Sequence, residues 1–189
     1  MKQAKVLTDA EMKRLLIIVG SGRHGARNRL AVMLSHLAGF RVGEIASLKI
    51  GDLLSGEGDI RDQIRLNPAY CKGGIERTVF VSQRLQREIK RYFRALPGLP
   101  APDMPLLRTQ KRSAFSANTL CQLFGELYRK AGIDGASSHS GRRSFITKLA
   151  HNGISPKVIM ELAGHKHLTT TQRYIEVNDE MKRAAVEII

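Results

Sequence analysis

The sequence predicts a mainly helical α+β domain with a small antiparallel sheet of three strands. Over most of the chain, apolar residues recur every three or four positions, which is typical of amphipathic helices. Between about residues 50 and 82 the apolar residues alternate instead, which indicates short strands. A length of 189 residues suits one well-buried domain, and the sequence contains no internal repeat.

Local signals place the helices. Thr8 and Glu11 form the pattern of a capping box and predict the start of the first helix. Gly39 predicts the end of a second helix over 25–38, because glycine readily adopts the left-handed conformation that closes helices. Further helices are predicted just after residue 41, around 85–93, and over 116–131, 140–151, 155–163, 168–175 and from 178 onward.

Alternating residues and turn formers outline the sheet. The predicted strand positions are Ile60, Ile64, Leu66, Val79 and Val81. Residues 71–74, which end in two glycines, are the predicted turn between the strands. Four of the six prolines lie in 97–105, which predicts a surface connection before the C-terminal helices.

The chain is strongly basic. It has 31 lysines and arginines against 17 acidic residues, for a net charge of +14. This excess attracts a polyanion, and nucleic acid is the usual partner of such a protein. A basic ribosomal protein or a membrane-surface protein is the alternative. The basic residues are spread along the chain, so they are expected to form one face of the folded domain.

Other compositional features narrow the class of protein. The N-terminus lacks a signal peptide, and no apolar run approaches the length of a membrane span. Two cysteines without CxxC spacing favour neither a disulfide framework nor a thiolate zinc site. We therefore expect a soluble, cytoplasmic protein.

A group of chemically active residues lies near the C-terminus. His139 and Arg142 are three positions apart and share a helix face, and His165 and Tyr174 follow. A phenol normally has a pKa of about 10 and is a poor nucleophile at neutral pH. Nearby cations favour its ionised form, which attacks phosphodiesters more readily. Arg41 and Lys72 are expected to complete the pocket.

Four separated blocks carry a family resemblance. They are Ala38–Leu48 with Asp52, Lys72–Val79, His139–Phe145 and Ala163–Tyr174. In residues, order and spacing the chain resembles the catalytic domain of the tyrosine recombinases, also called the phage integrase family. The resemblance implies that family's catalytic-domain fold and a DNA strand-exchange enzyme that works through a covalent 3′-phosphotyrosine. It also implies that neither a metal, nor another cofactor, nor ATP is needed.

The resemblance also implies roles for basic residues. Arg41 and Arg142 would hold the oxygens of the scissile phosphate, since planar guanidiniums make bidentate contacts. Glu44 would be a supporting carboxylate that orients these cations. Arg143, next to Arg142, is the competing phosphate ligand, although the H-x-x-R spacing favours Arg142. The residues expected to contact DNA outside the reaction centre are Arg77, Arg143 and Arg173.

The remaining catalytic roles are also implied by the resemblance. Tyr174 would be the nucleophile, and His139 would be its general base or a phosphate donor. His165 would donate a hydrogen bond to a phosphate oxygen. Lys72 would protonate the departing 5′ oxygen, although relatives often carry a second basic residue where Ile75 stands.

Several alternatives stay open at this stage. His139, His151 and His167 raise a zinc site, but no carboxylate or thiolate lies at ligand spacing. Of the other tyrosines, Tyr92 and Tyr128 are expected to pack in helices, and Tyr70 lacks the family's distance from the Gly-His pair. A topoisomerase-like nick-and-religate activity and a non-catalytic DNA-binding regulator are the rival functions.

The four blocks of the resemblance cover about residues 6–180. The catalytic domain is expected over 1–177, and 178–189 are expected to form a C-terminal helix that docks on its own domain or on a neighbouring protomer. The catalytic pattern starts at about Val6, so no N-terminal core-binding domain is expected in this sequence, which is either a fragment or a naturally short member of the family. A tetramer on double-stranded DNA is expected, with a monomer or dimer in solution, accessory proteins, and a nucleoid-associated location in a prokaryote or phage. Ala163 and Gly141 stand where relatives usually have leucine.

Overall fold

The computed structural model describes residues 3–68, 76–98, 100–175 and 179–188. Within these ranges the mainly helical prediction is confirmed. The helices are α1 (Asp9–Gly20), α2 (Gly25–Ala38), α3 (Val42–Ser47), α4 (Ile50–Leu53), α5 (Gln83–Arg94), α6 (Ala117–Lys130), α7 (Ser140–His151), α8 (Pro156–Ala163), α9 (Leu168–Gln172) and α10 (Asp179–Val186). The strands are β1 (Gln63–Leu66) and β2 (Arg77–Phe80).

The helix ends follow the predicted capping chemistry. The Thr8 side chain accepts a hydrogen bond from the Glu11 backbone N–H at 3.2 Å, and the Glu11 carboxylate accepts one from the Thr8 N–H at 3.0 Å. Gly39 ends α2 in the left-handed conformation with φ of 62°. These contacts satisfy backbone groups that a helix end leaves without partners. The short helix α4 was not predicted.

The sheet is smaller than predicted. In the described ranges it contains two antiparallel strands, with Ile64 opposite Val79, so the prediction of three strands was wrong. Ile60 forms only an isolated bridge to Leu54. The N–H of Arg61 bonds to the carbonyl of Leu53 at 2.9 Å, so this segment is held against α4 instead of extending the sheet. The predicted turn at 71–74 lies outside the described residues.

Helix α2 is the centre of the main core. Residues 30–36 of α2 are all buried, and α1, α5 and α7 pack around the helix. Gly141 sets the spacing between α2 and α7. A Cβ atom at this position would overlap the Ser35 side chain and would lie 2.7 Å from Nδ1 of His36. The glycine therefore allows a close contact between α2 and α7 that a Cβ atom would obstruct.

A second, smaller cluster joins α7 to α8. Its buried members are Ile146, Ala150, Ile159 and Ala163, and Tyr174 packs against them. The end of α8 is thereby fixed beside the end of α2 and the start of α7. None of the helices in the described ranges is long and apolar enough to cross a membrane.

Candidate active site

The candidate site lies where two helices end. Helix α2 ends at Gly39 and α8 ends at Gly164, and both glycines are left-handed, with φ of 62° and 61°. The last carbonyls of a helix have no partner within it and carry its partial negative charge. At both ends in this protein, such carbonyls accept hydrogen bonds from arginines.

Arg142 connects the two helix ends. Its Nη1 donates to the carbonyl of Gly39 at 2.6 Å, and its Nη2 donates to the carbonyl of Ala163. The side chain projects from the first turn of α7 and is only 6% exposed. These two contacts fix the plane of the guanidinium and use two of its five N–H donors.

Glu44 holds the other two arginines of the site. Its carboxylate accepts from Nη1 and from the backbone N–H of Arg41, both at 2.7 Å. It also accepts from Nη1 of Arg77 at 3.1 and 3.2 Å. Since Glu44 is 1% exposed, this carboxylate is a buried counter-charge between two cations.

Each of these arginines also reaches a helix end. Nη2 of Arg41 donates to the carbonyl of Gly164 at 2.9 Å, and Nη2 of Arg77 donates to the carbonyl of Ala38 at 3.2 Å. Gly164 permits this packing, because a Cβ atom there would lie 2.5 Å from Cδ of Arg77. The predicted DNA contact of Arg77 stays a prediction, and its observed contacts are those of a buried positioning residue.

The site carries more positive than negative charge. Burial, together with Arg41 and Arg77, lowers the pKa of Arg142 to about 9, while Glu44 and Tyr174 act in the opposite direction. Three guanidiniums thus surround a single carboxylate. An anion that enters this environment is attracted by the uncompensated charge.

His165 follows the left-handed glycine of α8 and contacts the predicted nucleophile. Its ring stacks on the Tyr174 ring, with centroids 5.8 Å apart and planes inclined by 19°. Burial, and after it the charges of Arg142 and Arg41, lower the pKa of His165 to about 4. The imidazole is therefore neutral at pH 7.

Thr171 forms a hydrogen bond with a ring nitrogen of the same imidazole. Its Oγ1 lies 2.8 Å from Nδ1 of His165, and Thr171 is fully buried in α9. Sequence reasoning missed this residue. It is one of three consecutive threonines, and nothing in the sequence marks which of them faces the histidine.

Tyr174 lies just beyond α9. Its backbone N–H bonds to the carbonyl of Thr171 at 2.9 Å, and its ring is half-buried. The guanidinium carbon of Arg143 lies 5.9 Å from the ring centroid, which is a cation–π distance. The neighbouring Arg173 is exposed and borders the site.

One predicted catalytic residue, His139, is less closely tied to this cluster. His139 is exposed at the N-cap of α7, and its imidazole makes no hydrogen bond or ring contact with another described side chain. It precedes Arg142 by one helical turn and so lies on the same side of α7. Lys72 lies outside the described residues, and its role stays a prediction.

A cavity of about 480 Å³ opens beside the cluster, between β2 and α8. Its lining includes basic, acidic and apolar side chains, among them Arg41, His165, Lys166, Glu76, Glu161, Phe80 and Val158. The cavity thus reaches the Arg41 side of the site. Among the described residues, no group of three or more His, Cys, Asp or Glu side chains is arranged to hold a metal ion.

Comparison with known proteins places the chain in a family. The chain belongs to the phage integrase family, whose sequence model matches residues 5–181. It is 35% identical over 187 residues to the tyrosine recombinase XerA of Pyrococcus furiosus, covering 97% of this chain and 61% of that protein. The chain therefore spans about three fifths of the length of this relative.

Solved structures have the same fold. The crystal structure of XerA recombinase superposes with a TM-score of 0.76 at 26% identity, over 97% of this chain and 65% of that one. The Tn1549 transposon integrase, solved in complex with circular intermediate DNA, superposes with a TM-score of 0.77 at 19% identity. That match covers 99% of this chain and 67% of the integrase.

Proposed function

We propose that the protein is the catalytic part of a site-specific DNA recombinase that cuts and rejoins DNA through a covalent 3′-phosphotyrosine. The observation that supports this most strongly is the convergence of Arg41, Arg142 and His165 beside Tyr174. These residues are far apart in the sequence and belong to different helix ends. Such an arrangement suits an anion that carries reactive oxygens.

The proposed reaction is a transesterification. The Tyr174 oxygen attacks the scissile phosphorus, the bond from phosphorus to the 5′ oxygen breaks, and the bond energy is kept in the phosphotyrosine. The phenolic proton passes to His139, and Lys72 protonates the departing 5′ oxygen. Attack by a 5′-hydroxyl then reverses these steps and reseals a strand, so ATP is not consumed.

Arg41 and Arg142 would stabilise the negative charge that develops on the phosphate oxygens. Both guanidiniums are held in advance by backbone carbonyls, and Arg41 is also held by Glu44. Donors that are already oriented need no rearrangement during the reaction, which makes them effective in the transition state. Fixed cations supply the charge neutralisation, so the proposal includes no metal.

His165 would donate a hydrogen bond to a non-bridging phosphate oxygen. Because a neutral imidazole has one N–H, the partner of one nitrogen determines the role of the other. When the Thr171 hydroxyl donates to Nδ1, the proton lies on Nε2 and is available to the phosphate. Thr171 is thus proposed as a positioning residue for His165.

The net charge of the chain and its similarity to known proteins support DNA as the substrate. A net charge of +14 favours a polyanion, and the related tyrosine recombinases and the DNA-bound transposon integrase support duplex DNA. Tetramer formation, accessory proteins and the nucleoid location stay predictions.

A suicide-substrate assay tests the proposal. Duplexes selected for binding from a randomised pool would be nicked close to the cleavage position, so that the short fragment carrying the new 5′-hydroxyl diffuses away and the adduct accumulates. We expect a covalent protein–DNA adduct in buffer with EDTA. Binding without any adduct would contradict the proposal and would favour a non-catalytic DNA-binding regulator.

Strand products distinguish the two enzymatic alternatives. With two duplexes that carry the selected site, a recombinase joins strands from different duplexes. A topoisomerase-like enzyme relaxes supercoiled DNA and reseals only the strand that it cut. Relaxation without joined products would replace the recombinase assignment and keep the proposed chemistry of Tyr174.

A further inference from the structure

The outward face of α5 carries an unbroken group of basic side chains. All five are exposed, and at 100° per residue they fall within an arc of about 120°. We call this surface the α5 basic face, and it consists of Arg84, Arg87, Lys90, Arg91 and Arg94.

A carboxylate of the same helix balances this face only in part, since the pKa of Glu88 is lowered by Arg29 first and then by Arg91 and Arg84. The one acidic residue of α5, Glu88, faces α2. Its carboxylate accepts two hydrogen bonds from the Arg29 guanidinium, at 2.6 and 2.7 Å. Asp9, whose pKa is lowered by Lys148 and also by Arg84, is already paired with Lys148 at 2.7 Å. Within the described ranges, none of the five residues of the α5 basic face forms a salt bridge.

Helix stability explains only part of this arrangement, because the helix dipole favours Arg91 and Arg94 in the last turn of α5. Like charges three or four positions apart destabilise a helix, and the α5 basic face contains several such pairs. Arg84 stands in the first turn, where the helix dipole disfavours cations, and that turn has no acidic residue. Solvated protein surfaces usually mix charges of both signs. A face with one sign indicates a partner of the opposite sign.

The α5 basic face is separate from the candidate active site. Helix α5 runs antiparallel to α2, because Glu88 pairs with Arg29 while Tyr92, further along α5, interacts with Arg27. Arg29 precedes Ala38, at the site end of α2, by nine residues, which is about 13 Å of helix. The face therefore extends away from Arg41 and Arg142.

We propose that the α5 basic face binds the phosphate backbone of duplex DNA outside the segment that is cleaved. The face is about 15 Å long, and duplex DNA carries one charge for about every 1.7 Å of its axis. Its charged side chains are all lysine or arginine, so we expect phosphate contacts that are independent of sequence. This inference rests on DNA being the substrate and adds a second contact surface to it.

A membrane surface fits the α5 basic face less well. Helices that bind membranes expose large apolar residues beside their cations. In α5 the apolar residues Leu85, Ile89 and Tyr92 are buried in the core, and Phe93 is partly buried against it. The α5 basic face thus offers charge without an apolar anchor.

Matched triple variants test the proposal. Arg87→Gln, Arg91→Gln and Arg94→Gln would be combined in one protein, and Arg61→Gln, Arg129→Gln and Lys130→Gln in a control. All six residues are exposed, and both variants lose three positive charges. The probe is a 40-base-pair duplex of random sequence, and its affinity is measured between 50 and 300 mM salt.

We expect the slope of log affinity against log salt to decrease by about two to three for the α5 variant, since each phosphate contact contributes about 0.9. The control should change by less than one, and the affinity of the α5 variant at 100 mM salt should fall at least tenfold. Equal changes in the two variants would overturn the proposal, because the effect would then come from net charge alone.

Lysine footprinting gives a local measurement. Acetylation of Lys90 should slow at least threefold when the duplex is bound, whereas acetylation of exposed Lys130 should not change. Unprotected Lys90, or binding to phosphatidylserine vesicles in place of DNA, would contradict the assignment. Adduct formation in wild type with no difference between the triple variants would remove this inference and leave the proposed function standing. A difference between the triple variants without adduct formation in wild type would remove the proposed function alone.

Discussion

Arg77 donates two hydrogen bonds to the carboxylate of Glu44, at 3.1 and 3.2 Å, and both side chains are buried. The same carboxylate holds Arg41, so one acidic residue orients two of the three arginines in the site. Its negative charge is what allows three guanidiniums to lie together in a folded protein.

Glu44→Gln should therefore destabilise the protein. The amide keeps the shape but loses the charge, and breaking a buried ion pair costs about 3 kcal/mol or more. Chemical denaturation should show this loss at pH 7. Inorganic phosphate should restore more stability in this variant than in wild type, because an added anion replaces the missing charge.

Glu88→Gln is the matched control for that experiment. Glu88 also pairs with an arginine, Arg29, but it is partly exposed and lies away from the site. Its loss should cost about 1 kcal/mol or less, without a specific response to phosphate. A phosphate response of equal size in both variants would contradict the account of Glu44.

Thr171→Val should reduce the rate of adduct formation while leaving DNA affinity nearly unchanged. The methyl group cannot hydrogen-bond Nδ1 of His165, so the proton is no longer directed to Nε2. Removing an oriented donor from a reaction centre typically slows it about 100-fold, and losing its orientation should cost at least about 10-fold. Single-turnover rates with a suicide duplex measure this effect.

Two further threonine variants control the Thr171 experiment. Thr171→Ser keeps the hydroxyl and should restore most of the rate. Thr169→Val makes the same change at an exposed position of α9 and should react like wild type. A slow Thr171→Ser would indicate that the methyl group, rather than the hydroxyl, matters.

Gly141→Ala should lower the free energy of unfolding by about 1–3 kcal/mol. Its new Cβ atom would overlap Ser35 and the ring of His36, where α2 and α7 are closest. Gly125→Ala in α6 is the control, because no atom lies within 4 Å of its new Cβ. That change should raise stability by about 0.5–1 kcal/mol. Urea denaturation tests both, and a stabilised Gly141→Ala would contradict the described packing.

Stability should fall as the pH falls from 6.5 toward 4. Burial lowers the pKa of His36 from 6.5 to about 4, against the effect of its bond to the carbonyl of Val32. Below pH 6.5 the unfolded chain therefore binds a proton that the folded chain does not, and stability is lost as pH decreases. The slope for His36 should approach about 1.4 kcal/mol per pH unit.

His165, whose pKa is also lowered to about 4, should add a smaller effect because water screens it. His36→Met should flatten the dependence measured by urea denaturation between pH 7 and 5. Replacing the exposed His151 by glutamine should leave it unchanged. A slope equal to that of wild type in His36→Met would contradict this assignment.

Local signals in the sequence explain how much of the fold was predictable. Capping at Thr8 and the glycine stop at Gly39 depend on neighbouring residues, and both helix ends were placed correctly. The third strand was predicted wrongly because alternation at Ile60 does not reveal its backbone partner, which is Leu54, the residue just after α4. Strand pairing depends on distant residues that the local pattern does not contain.

The proximity of the candidate site residues was predictable from the sequence, whereas the groups that hold them in place were not. Family resemblance identified Arg41, Arg142, His165 and Tyr174 as neighbours, and the structure brings them together. The carbonyls that hold the arginines are backbone atoms, which any residue type carries, so no pattern marks them. The burial of Arg77 was likewise invisible, because a sequence shows an arginine without its surroundings.

The most direct test of the central claim is the identity of the residue that becomes linked to DNA. Wild type, Tyr174→Phe and Tyr128→Phe would be incubated with the same suicide duplex and resolved under denaturing conditions. The Tyr128 hydroxyl is buried without a partner among the described residues, so its removal should be tolerated. We expect a covalent adduct in wild type and in Tyr128→Phe, and none in Tyr174→Phe, with DNA binding retained in all three. An adduct that persists in Tyr174→Phe would contradict the account.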